Sequence, residues 1–391
     1  MYVVIGAGLA GLSAALSLQE AGLPVTVIDG ADRAGGRVAT DLIDGFVLDR
    51  GFQLINLNYP EIKRLQVANE LDFKVAPRTV DISIGEQRVR IGDPRKAPLS
   101  IFSTKTGTLG EKASFLRYLS TKPALNEDVE AHLLRCGTDA FYRKVLHPFQ
   151  QGVFLTEPSQ ISAVVGRDLI GSFIFGKSGI PANGVGVFSQ RLAKRIVDLR
   201  LNTQVEEIRG NRILTNQGEI TATKIVLATD LTTAAQLLGA NQVAPLIRAT
   251  TWYHVTDEAP SNSAELTLDA QHRGPVVNSI VISNLSKLYA PAGQSLISST
   301  TISHASESEV RRHLAIMWGS STENWRLIAK YEINSALPLF APGKISTKSA
   351  KFNDVIYLAG DYLSAPSQNG ALASGRLAAQ ELMFSQGLQS G

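Results

Sequence analysis

The sequence predicts an α/β fold: a mostly parallel sheet with helices on its faces, into which an α+β domain is inserted. Three observations predict it. Residues 1–29 read as strand, glycine-rich loop, helix and strand, and a Gly-Gly-Arg element follows at residues 35–37. A further apolar strand, at residues 355–359, leads into a helix rich in small residues. The chain of 391 residues leaves room between these parts for a second domain.

The first unit has the layout of a dinucleotide-binding βαβ motif of the Rossmann type. Gly6 permits the tight turn from strand to helix, Gly8 lets a pyrophosphate approach the backbone, and Gly11 lets helix and strand pack closely. Asp29 ends the second strand 23 residues after Gly6, close to the roughly 20 expected for an acid that accepts hydrogen bonds from ribose hydroxyls. The sequence therefore predicts a bound dinucleotide.

The start of the first helix is the predicted phosphate site. The backbone N–H groups of Leu9, Ala10 and Gly11 have no acceptor within the helix, and the helix dipole places partial positive charge there. Gly36 and Arg37 follow the motif, and the Arg37 guanidinium suits a phosphate.

Two further segments complete the predicted site. Residues 46–54 read as a strand that enters a turn at Gly51 and Phe52, where the backbone can line a flat ring. Near the end of the chain, Gly360 and Asp361 directly follow an apolar strand. Ligands of such sheets bind beyond the carboxyl ends of the strands, which is where Asp361 is expected.

These motifs together resemble the flavin-containing amine oxidase superfamily, which includes monoamine and polyamine oxidases, protoporphyrinogen oxidase and phytoene desaturases. The resemblance implies a Rossmann-type FAD-binding domain of the GG-doublet type that binds FAD in an extended form. It implies that Asp29 and Val205 contact the adenosine part, and that the loop from Gly8 to Gly11 and Arg37 contact the pyrophosphate. It places Gly51 and Phe52 beside the isoalloxazine, Asp361 at the ribityl–phosphate chain, and Gly370 and Ala371 at the N1–C2=O edge.

The chain departs from the amine oxidases at two positions. Ala31 replaces a frequent arginine two residues after the ribose acid, and Ser367 replaces an aromatic residue that forms half of a cage over the flavin. Residues 146–155, 288–293 and 336–338 are similar to phytoene-desaturase-like proteins. The resemblance is therefore closest to the phytoene-desaturase-like branch.

The motifs divide the chain into two discontinuous domains. Residues 1–80, 181–232 and 345–391 are predicted to form the FAD-binding domain, and residues 81–180 and 233–344 the substrate domain. Within the substrate domain, the pattern predicts helical structure at 113–119 and 128–146, and a helix at 306–317 with Ser306 as its N-cap.

Composition excludes several classes of protein. Hydrophobic residues make up 44% of the chain and charged residues 19%, which is typical of a globular protein with a sizeable core. The net charge of +3 includes no basic run, so no nucleic-acid partner is expected. The six histidines show no metal-ligand spacing, and Cys136 is the only cysteine, so we expect no metal site and non-covalent FAD. With no signal peptide or apolar span recognised, we expect a cytoplasmic protein.

Three functions remain open at this level. The first is an FAD-dependent oxidoreductase that removes a hydride equivalent from a small apolar substrate, as an isoprenoid or polyene desaturase or a ring-system oxidase, with oxygen or a quinone as electron acceptor. The second is an amine or amino-acid oxidase, and the third a non-catalytic flavoprotein with a protein partner. No catalytic residue is identified; His254, Lys287 and Tyr362 are candidates for a group that faces the flavin. An apolar substrate implies peripheral membrane contact, for which residues 99–102 are a candidate surface.

Overall fold

A computed structural model describes residues 1–93, 97–98, 102–240, 244–344 and 349–388. Three of the four residues of the candidate membrane surface, Leu99, Ser100 and Ile101, lie outside the described residues. Phe102, the fourth, is 68% exposed.

Most strands belong to two large sheets. The strands are β1 (Tyr2–Ile5), β2 (Val25–Ile28), β3 (Thr40–Ile43), β4 (Phe46–Asp49), β5 (Ile55–Asn56), β6 (Phe73–Val75), β7 (Thr79–Ile84), β8 (Gln87–Gly92), β9 (Ser178–Pro181), β10 (Asp198–Arg200), β11 (Val205–Arg209), β12 (Arg212–Thr215), β13 (Gly218–Thr221), β14 (Lys224–Leu227), β15 (Leu246–Thr256), β16 (Leu266–Asp269), β17 (Val276–Val281), β18 (Ser295–Thr301), β19 (Arg326–Pro338) and β20 (Ile356–Leu358).

The helices pack against the two large sheets and also make up much of the chain between β8 and β9. They are α1 (Leu9–Glu20), α2 (Pro60–Leu65), α3 (Leu109–Ser120), α4 (Val129–Arg135), α5 (Asp139–Phe141), α6 (His147–Phe154), α7 (Ala163–Phe175), α8 (Gly186–Ala193), α9 (Leu231–Leu237), α10 (Ile282–Leu285), α11 (Glu307–Trp318) and α12 (Gln368–Phe384).

The first sheet is parallel throughout, with the strand order β10-β2-β1-β14-β20. Its central strands are fully buried because helices cover them, which explains why β1 and β2 read as continuous apolar runs. Helices α1 and α12 lie in direct contact: a Cβ added to Gly375 would come within 2.0 Å of the Ala10 carbonyl oxygen. The predicted βαβ unit, the returning strand β14 and the final strand and helix are all present, so the predicted α/β fold is confirmed.

The second sheet has the order β19-β15-β18-β17-β16-β7-β8 and is antiparallel except between β7 and β16. One face packs against α11 through an apolar cluster that includes Trp252, Val310 and Leu314. Helix α11 begins as predicted, because Ser306 accepts the Glu309 N–H and the Glu309 carboxylate accepts the Ser306 N–H, a reciprocal capping box.

The region 128–146 differs from the single helical stretch that its pattern suggests. Helix α4 ends before Gly137, which adopts a φ of +89°, and the chain then forms α5 and a π-helical turn at 142–146. A residue in the left-handed region cannot continue an α-helix, so the glycine separates the two helical parts. The division into two domains stays a prediction. Two strands cross predicted boundaries: β7 begins at Thr79, before the boundary between residues 80 and 81, and β9 begins at Ser178, before the boundary between residues 180 and 181.

Candidate cofactor and substrate site

A cavity of about 1690 Å³ is lined by residues of both large sheets. Thirteen of the fifteen predicted cofactor-binding residues lie on its wall. They are Gly6, Gly8, Leu9, Ala10, Asp29, Gly36, Arg37, Gly51, Phe52, Val205, Gly360, Asp361 and Ala371. Gly11 and Gly370 are not among the described residues that line the cavity, and both have a packing role instead.

The three glycines of the first loop have different roles. Gly6 adopts a φ of +106°, and an added Cβ would lie 2.7 Å from the Ala228 carbonyl oxygen. A Cβ on Gly11 would lie 1.8 Å from the Gly6 carbonyl oxygen, so any side chain there would separate α1 from the loop. A Cβ on Gly8 would meet nothing within 4 Å, because Gly8 faces the open cavity. The turn at Gly6 and the close packing at Gly11 are as the motif predicts, and the approach of a ligand to Gly8 stays a prediction.

The N-terminus of α1 is available to an anion. Its N-cap is Gly8, and no side chain caps it. The first-turn residues Leu9 and Ala10 line the cavity. A helix start of this kind leaves its first N–H groups for an acceptor, and a phosphate satisfies them.

Asp29 lies at the end of β2 with its carboxylate already oriented. Its Oδ2 accepts the Ala7 N–H at 2.6 Å, and its Oδ1 accepts the Ala31 N–H at 2.8 Å. A carboxylate has about four acceptor positions, so two remain for hydroxyl groups of a ligand. Val205, at the start of β11, lines the cavity as well. The structure therefore brings together the residues to which the sequence assigns the adenosine part.

Arg37 connects both ends of the chain with the second sheet. Its guanidinium lies 2.8 Å from the Asp361 carboxylate and donates to the Ala336 carbonyl oxygen of β19 at 2.6 Å. Burial lowers the pKa of Arg37, but the Asp361 carboxylate more than offsets this and keeps the pKa above its ordinary value. Arg37 is therefore a fixed cation on the cavity wall.

Two glutamines that the sequence did not indicate hold the loop after β4. Gln53 donates to the Arg37 carbonyl oxygen at 2.8 Å, and its Oε1 accepts from Gln368 at 3.2 Å. These bonds fix the turn that contains Gly51 and Phe52 between the Gly-Gly-Arg loop and the start of α12. No local pattern marks either glutamine, since the bonded residues are far apart in sequence.

Helix α12 begins with a side-chain cap. Ser367 accepts the Gly370 N–H at 3.0 Å, and its carbonyl oxygen accepts the Ala371 N–H at 2.9 Å. A Cβ on Gly370 would lie 2.1 Å from the Ala365 carbonyl oxygen, so this glycine closes a tight turn. Serine at 367 is thus an N-cap, a role that an aromatic side chain cannot perform.

The remaining cavity wall is mainly apolar. This apolar chamber is formed by α3, α5, α6, α7 and β16 and includes Phe115, Phe141, Phe149, Leu169, Phe173 and Leu266. The helical parts come from residues 81–180, which the sequence predicts to be part of the substrate domain. Their apolar spacing is the one signal that could have indicated the chamber, and the same spacing serves any buried core.

None of the three candidates for a flavin-facing group lines the cavity. His254 is fully buried on the α11 side of β15 against Trp325, and burial lowers its pKa to about 4. Lys287 donates to the Asn284 side chain at 3.2 Å, and Tyr362 is buried with its hydroxyl donating to the Ala359 carbonyl oxygen at 3.4 Å. The suggestion that one of them faces the flavin is therefore wrong. Cys136, 1% exposed, lies in the apolar cluster of the helical segment and also does not line the cavity.

The arrangement fits FAD. The uncapped helix start, the open space at Gly8, the oriented carboxylate of Asp29 and the Arg37–Asp361 pair lie along one continuous cavity. Such a set can hold a diphosphate, a ribose and an extended second half of a dinucleotide.

Comparison with known proteins gives the same assignment. The sequence profile described as "Flavin containing amine oxidoreductase" matches residues 9–383. Phytoene desaturase (neurosporene-forming) from Rhodobacter capsulatus is 27% identical over 59% of this chain and 50% of its own. Putrescine oxidase from Kocuria rosea is 41% identical over 19% of this chain and 16% of its own. The chain thus spans half or less of the length of these curated relatives.

A solved structure shares the whole fold. The crystal structure of an oxidoreductase from Methanosarcina mazei superposes with a TM-score of 0.78 at 16% identity, covering 98% of this chain and 99% of that one. Within the described part of this chain, no helix has both the length and the apolar character required to cross a bilayer.

Proposed function

Because the chain belongs to the family of flavin-containing amine oxidoreductases, we propose that it oxidises an apolar substrate held in the apolar chamber. The predicted cofactor, FAD, and the predicted class, an FAD-dependent oxidoreductase, are confirmed at the level of the family. FAD, when bound, accepts a hydride equivalent from a C–H or C–N centre. The proposal specifies an isoprenoid or polyene desaturase or a ring-system oxidase.

One observation carries this proposal: the cavity runs without interruption from the cofactor-binding residues into the apolar chamber. Small-molecule sites are usually such cavities, lined mostly by apolar side chains with a few polar groups that fix orientation. The aromatic residues of α3, α6 and α7 exclude water and position an apolar substrate.

The chain itself supplies binding and electrostatics. The start of α1 binds the diphosphate, Asp29 accepts ribose hydroxyls, and Arg37 with Asp361 orients the chain between phosphate and ring. The start of α12, near Ala371, places partial positive charge where the family implies the ring edge, an effect worth about 0.3–1 kcal/mol when exposed and up to ~2 when partly buried.

An amine or amino-acid oxidase is the second candidate. The match to putrescine oxidase supports it, but that match covers only 19% of this chain. Against it stands Ser367, which caps α12 where the resemblance expects a cage aromatic. A non-catalytic flavoprotein with a protein partner is the third candidate, and the size of the apolar chamber argues against it, since such a protein needs no substrate cavity.

The proposal includes a place and an electron acceptor. We place the protein in the cytoplasm in peripheral contact with a membrane, because an apolar substrate is dissolved in the bilayer. We take oxygen or a quinone as the electron acceptor. Phe175 lines the cavity and is 70% exposed, and Leu116 follows the cavity residue Phe115 and is 69% exposed. Phe102 is joined to the same face, since the Ser103 carbonyl oxygen accepts from Lys112 of α3 at 2.7 Å. We take these three exposed residues, Phe102, Leu116 and Phe175, as the candidate membrane contact and call them the apolar rim.

The test is anaerobic reduction of the purified holoprotein. We expect loss of the oxidised-flavin absorbance when polyenes or reduced ring systems are supplied in liposomes, and none with putrescine. Rapid bleaching by putrescine alone would establish the amine-oxidase alternative. Bleaching by none of the compounds, with FAD bound at one per chain, would favour the protein-partner alternative.

A further inference from the structure

Three polar side chains cross the cavity face of the seven-stranded sheet. Asn278 of β17 pairs with Thr300 of β18, and Thr300 pairs with Thr251 of β15. All three line the cavity, and they are only 3%, 3% and 1% exposed. They form a polar row, defined by Asn278, Thr300 and Thr251, in a wall that is otherwise largely apolar.

Two atoms of the polar row lack a partner. Within the described part of the chain, neither Oδ1 of Asn278 nor Oγ1 of Thr300 has a hydrogen bond. Buried polar atoms are nearly always bonded, and an unmade bond carries the full cost of desolvation. The two residues are cross-strand neighbours that both line the cavity, so their side chains lie close together on its wall.

On the opposite face of the sheet several hydroxyl groups have partners, although Oγ1 of Thr267, the neighbour of Ser279, has none among the described residues. Toward α11, Ser279 and Ser299 bond to each other at 3.0 Å, and Trp318 also donates to Ser279 at 3.1 Å. Thr301 accepts from Trp252 at 3.1 Å.

Helix α6 makes room for the amide. A Cβ on Gly152 would lie 2.8 Å from Nδ2 of Asn278, so only glycine lets α6 pass this close to the side chain. Gly152 itself lines the cavity. Helix α6 therefore packs closely against the amide of Asn278, which lies at the cavity wall.

We propose that Asn278 and Thr300 bind a hydroxyl group of the substrate. The substrate hydroxyl donates to Oδ1 of Asn278, and the Thr300 hydroxyl donates to the substrate oxygen, so both buried atoms gain a partner. The inference rests on the proposed function and narrows it: the substrate is an apolar molecule that carries an alcohol, and a pure hydrocarbon is a poor ligand.

The test compares three ligands of one carbon skeleton: a twenty-carbon polyprenyl alcohol, its methyl ether and the corresponding hydrocarbon. Dissociation constants for the holoprotein are measured from the perturbation of the flavin spectrum and by equilibrium dialysis. We expect the alcohol to bind most tightly, the ether less so and the hydrocarbon least. The dissociation constants of the alcohol and the hydrocarbon should differ by about 10-fold to 100-fold, the range for one or two hydrogen bonds to buried groups.

Two variants should each abolish one of the two expected differences in ligand affinity. Thr300→Val, which keeps the shape, should abolish the preference for ether over hydrocarbon, since the ether can only accept. Asn278→Leu should abolish the preference for alcohol over ether, since only the alcohol donates. Thr267→Val is the matched control: its Oγ1 is equally buried and unpartnered on β16, but Thr267 does not line the cavity, so the order should stay unchanged.

The outcomes separate this inference from the proposed function. Equal binding of all three ligands, or an order that Thr300→Val leaves intact, overturns the hydroxyl site and leaves the apolar substrate standing. No binding of any of the three overturns the isoprenoid form of the proposed function, and the hydroxyl site with it.

Discussion

Arg37 and Asp361 form an ion pair of 2.8 Å although 324 residues separate them in the sequence. Arg37 belongs to the loop after the first βαβ unit and Asp361 follows the last strand. Because Arg37 also donates to the Ala336 carbonyl oxygen, the same guanidinium holds a strand of the second sheet. The cofactor site is thereby completed by three distant parts of the chain.

Arg37→Met should lower FAD affinity at least 10-fold, since it removes a cation and leaves the Asp361 carboxylate, 5% exposed, without its partner. Isothermal titration of the apoprotein with FAD measures this. Arg33→Met is the control: Arg33 also bonds a carbonyl oxygen, that of Thr40, and a carboxylate, that of Asp41, but does not line the cavity. It should affect thermal stability only. Equal FAD affinities of the two variants would contradict the assignment.

Gly11 and Gly8 should respond differently to alanine. Gly11→Ala places a Cβ 1.8 Å from a backbone oxygen, so both apoprotein stability and FAD binding should be lost. Gly8→Ala meets no atom of the protein, so apoprotein stability should be unchanged while FAD affinity falls.

Thermal unfolding of the apoproteins and FAD titration distinguish these effects. Gly171→Ala is the control, because this glycine lies inside α7 with nothing near an added Cβ. It should stabilise the fold by about 0.5–1 kcal/mol and leave FAD binding unchanged. Wild-type FAD affinity of Gly8→Ala would show that the loop does not approach the cofactor.

Asp49 should make the fold less stable as the pH rises. Burial raises the pKa of its carboxyl from 3.8 to about 6, although Thr40, Tyr289 and the Val185 N–H all donate to it. The folded protein therefore holds a proton that the unfolded chain releases near pH 4, and this contribution is lost between about pH 4 and pH 6. At about 1.4 kcal/mol per pKa unit, the loss amounts to at most about 3 kcal/mol.

Asp49→Asn should remove this dependence of the free energy of unfolding on pH, so that the variant gains stability relative to wild type as the pH rises from 4 to 7. Urea unfolding at several pH values measures the difference. Asp198→Asn is the control: the bond from Arg200 lowers the pKa of Asp198 below its ordinary 3.8, so its contribution is lost only as the pH falls below about 4, and this variant should run parallel to wild type from pH 4 to pH 7. Parallel curves for wild type and Asp49→Asn would contradict the titration of Asp49.

Phe175→Ser combined with Leu116→Ser should weaken sedimentation with liposomes several-fold, because both residues belong to the apolar rim. Phe384→Ser is the matched control, an 85% exposed phenylalanine on α12 that does not line the cavity. If the control reduces sedimentation as much as the double variant, the rim is not the membrane contact.

Local patterns predicted the parts of the fold whose causes are local. The glycine loop, the strand that ends at Asp29 and the N-cap at Ser306 each depend on residues that are close together in the sequence. Gln53 and Gln368 could not be predicted, because their bond joins residues more than 300 positions apart. The polar row was missed for the same reason: each of its residues is an ordinary strand residue until the register of β15, β17 and β18 places them side by side.

The contact of Gly375 with Ala10 has a consequence for how the protein is made. Helix α1 is synthesised long before α12, the helix that packs against it, because more than 300 residues lie between them. Until then the start of α1 lacks its neighbour, and Arg37 lacks Asp361. Domains that form from contiguous segments can fold during synthesis, whereas here these contacts form only after α12 has been translated. We therefore expect FAD to bind only after α12 has been synthesised.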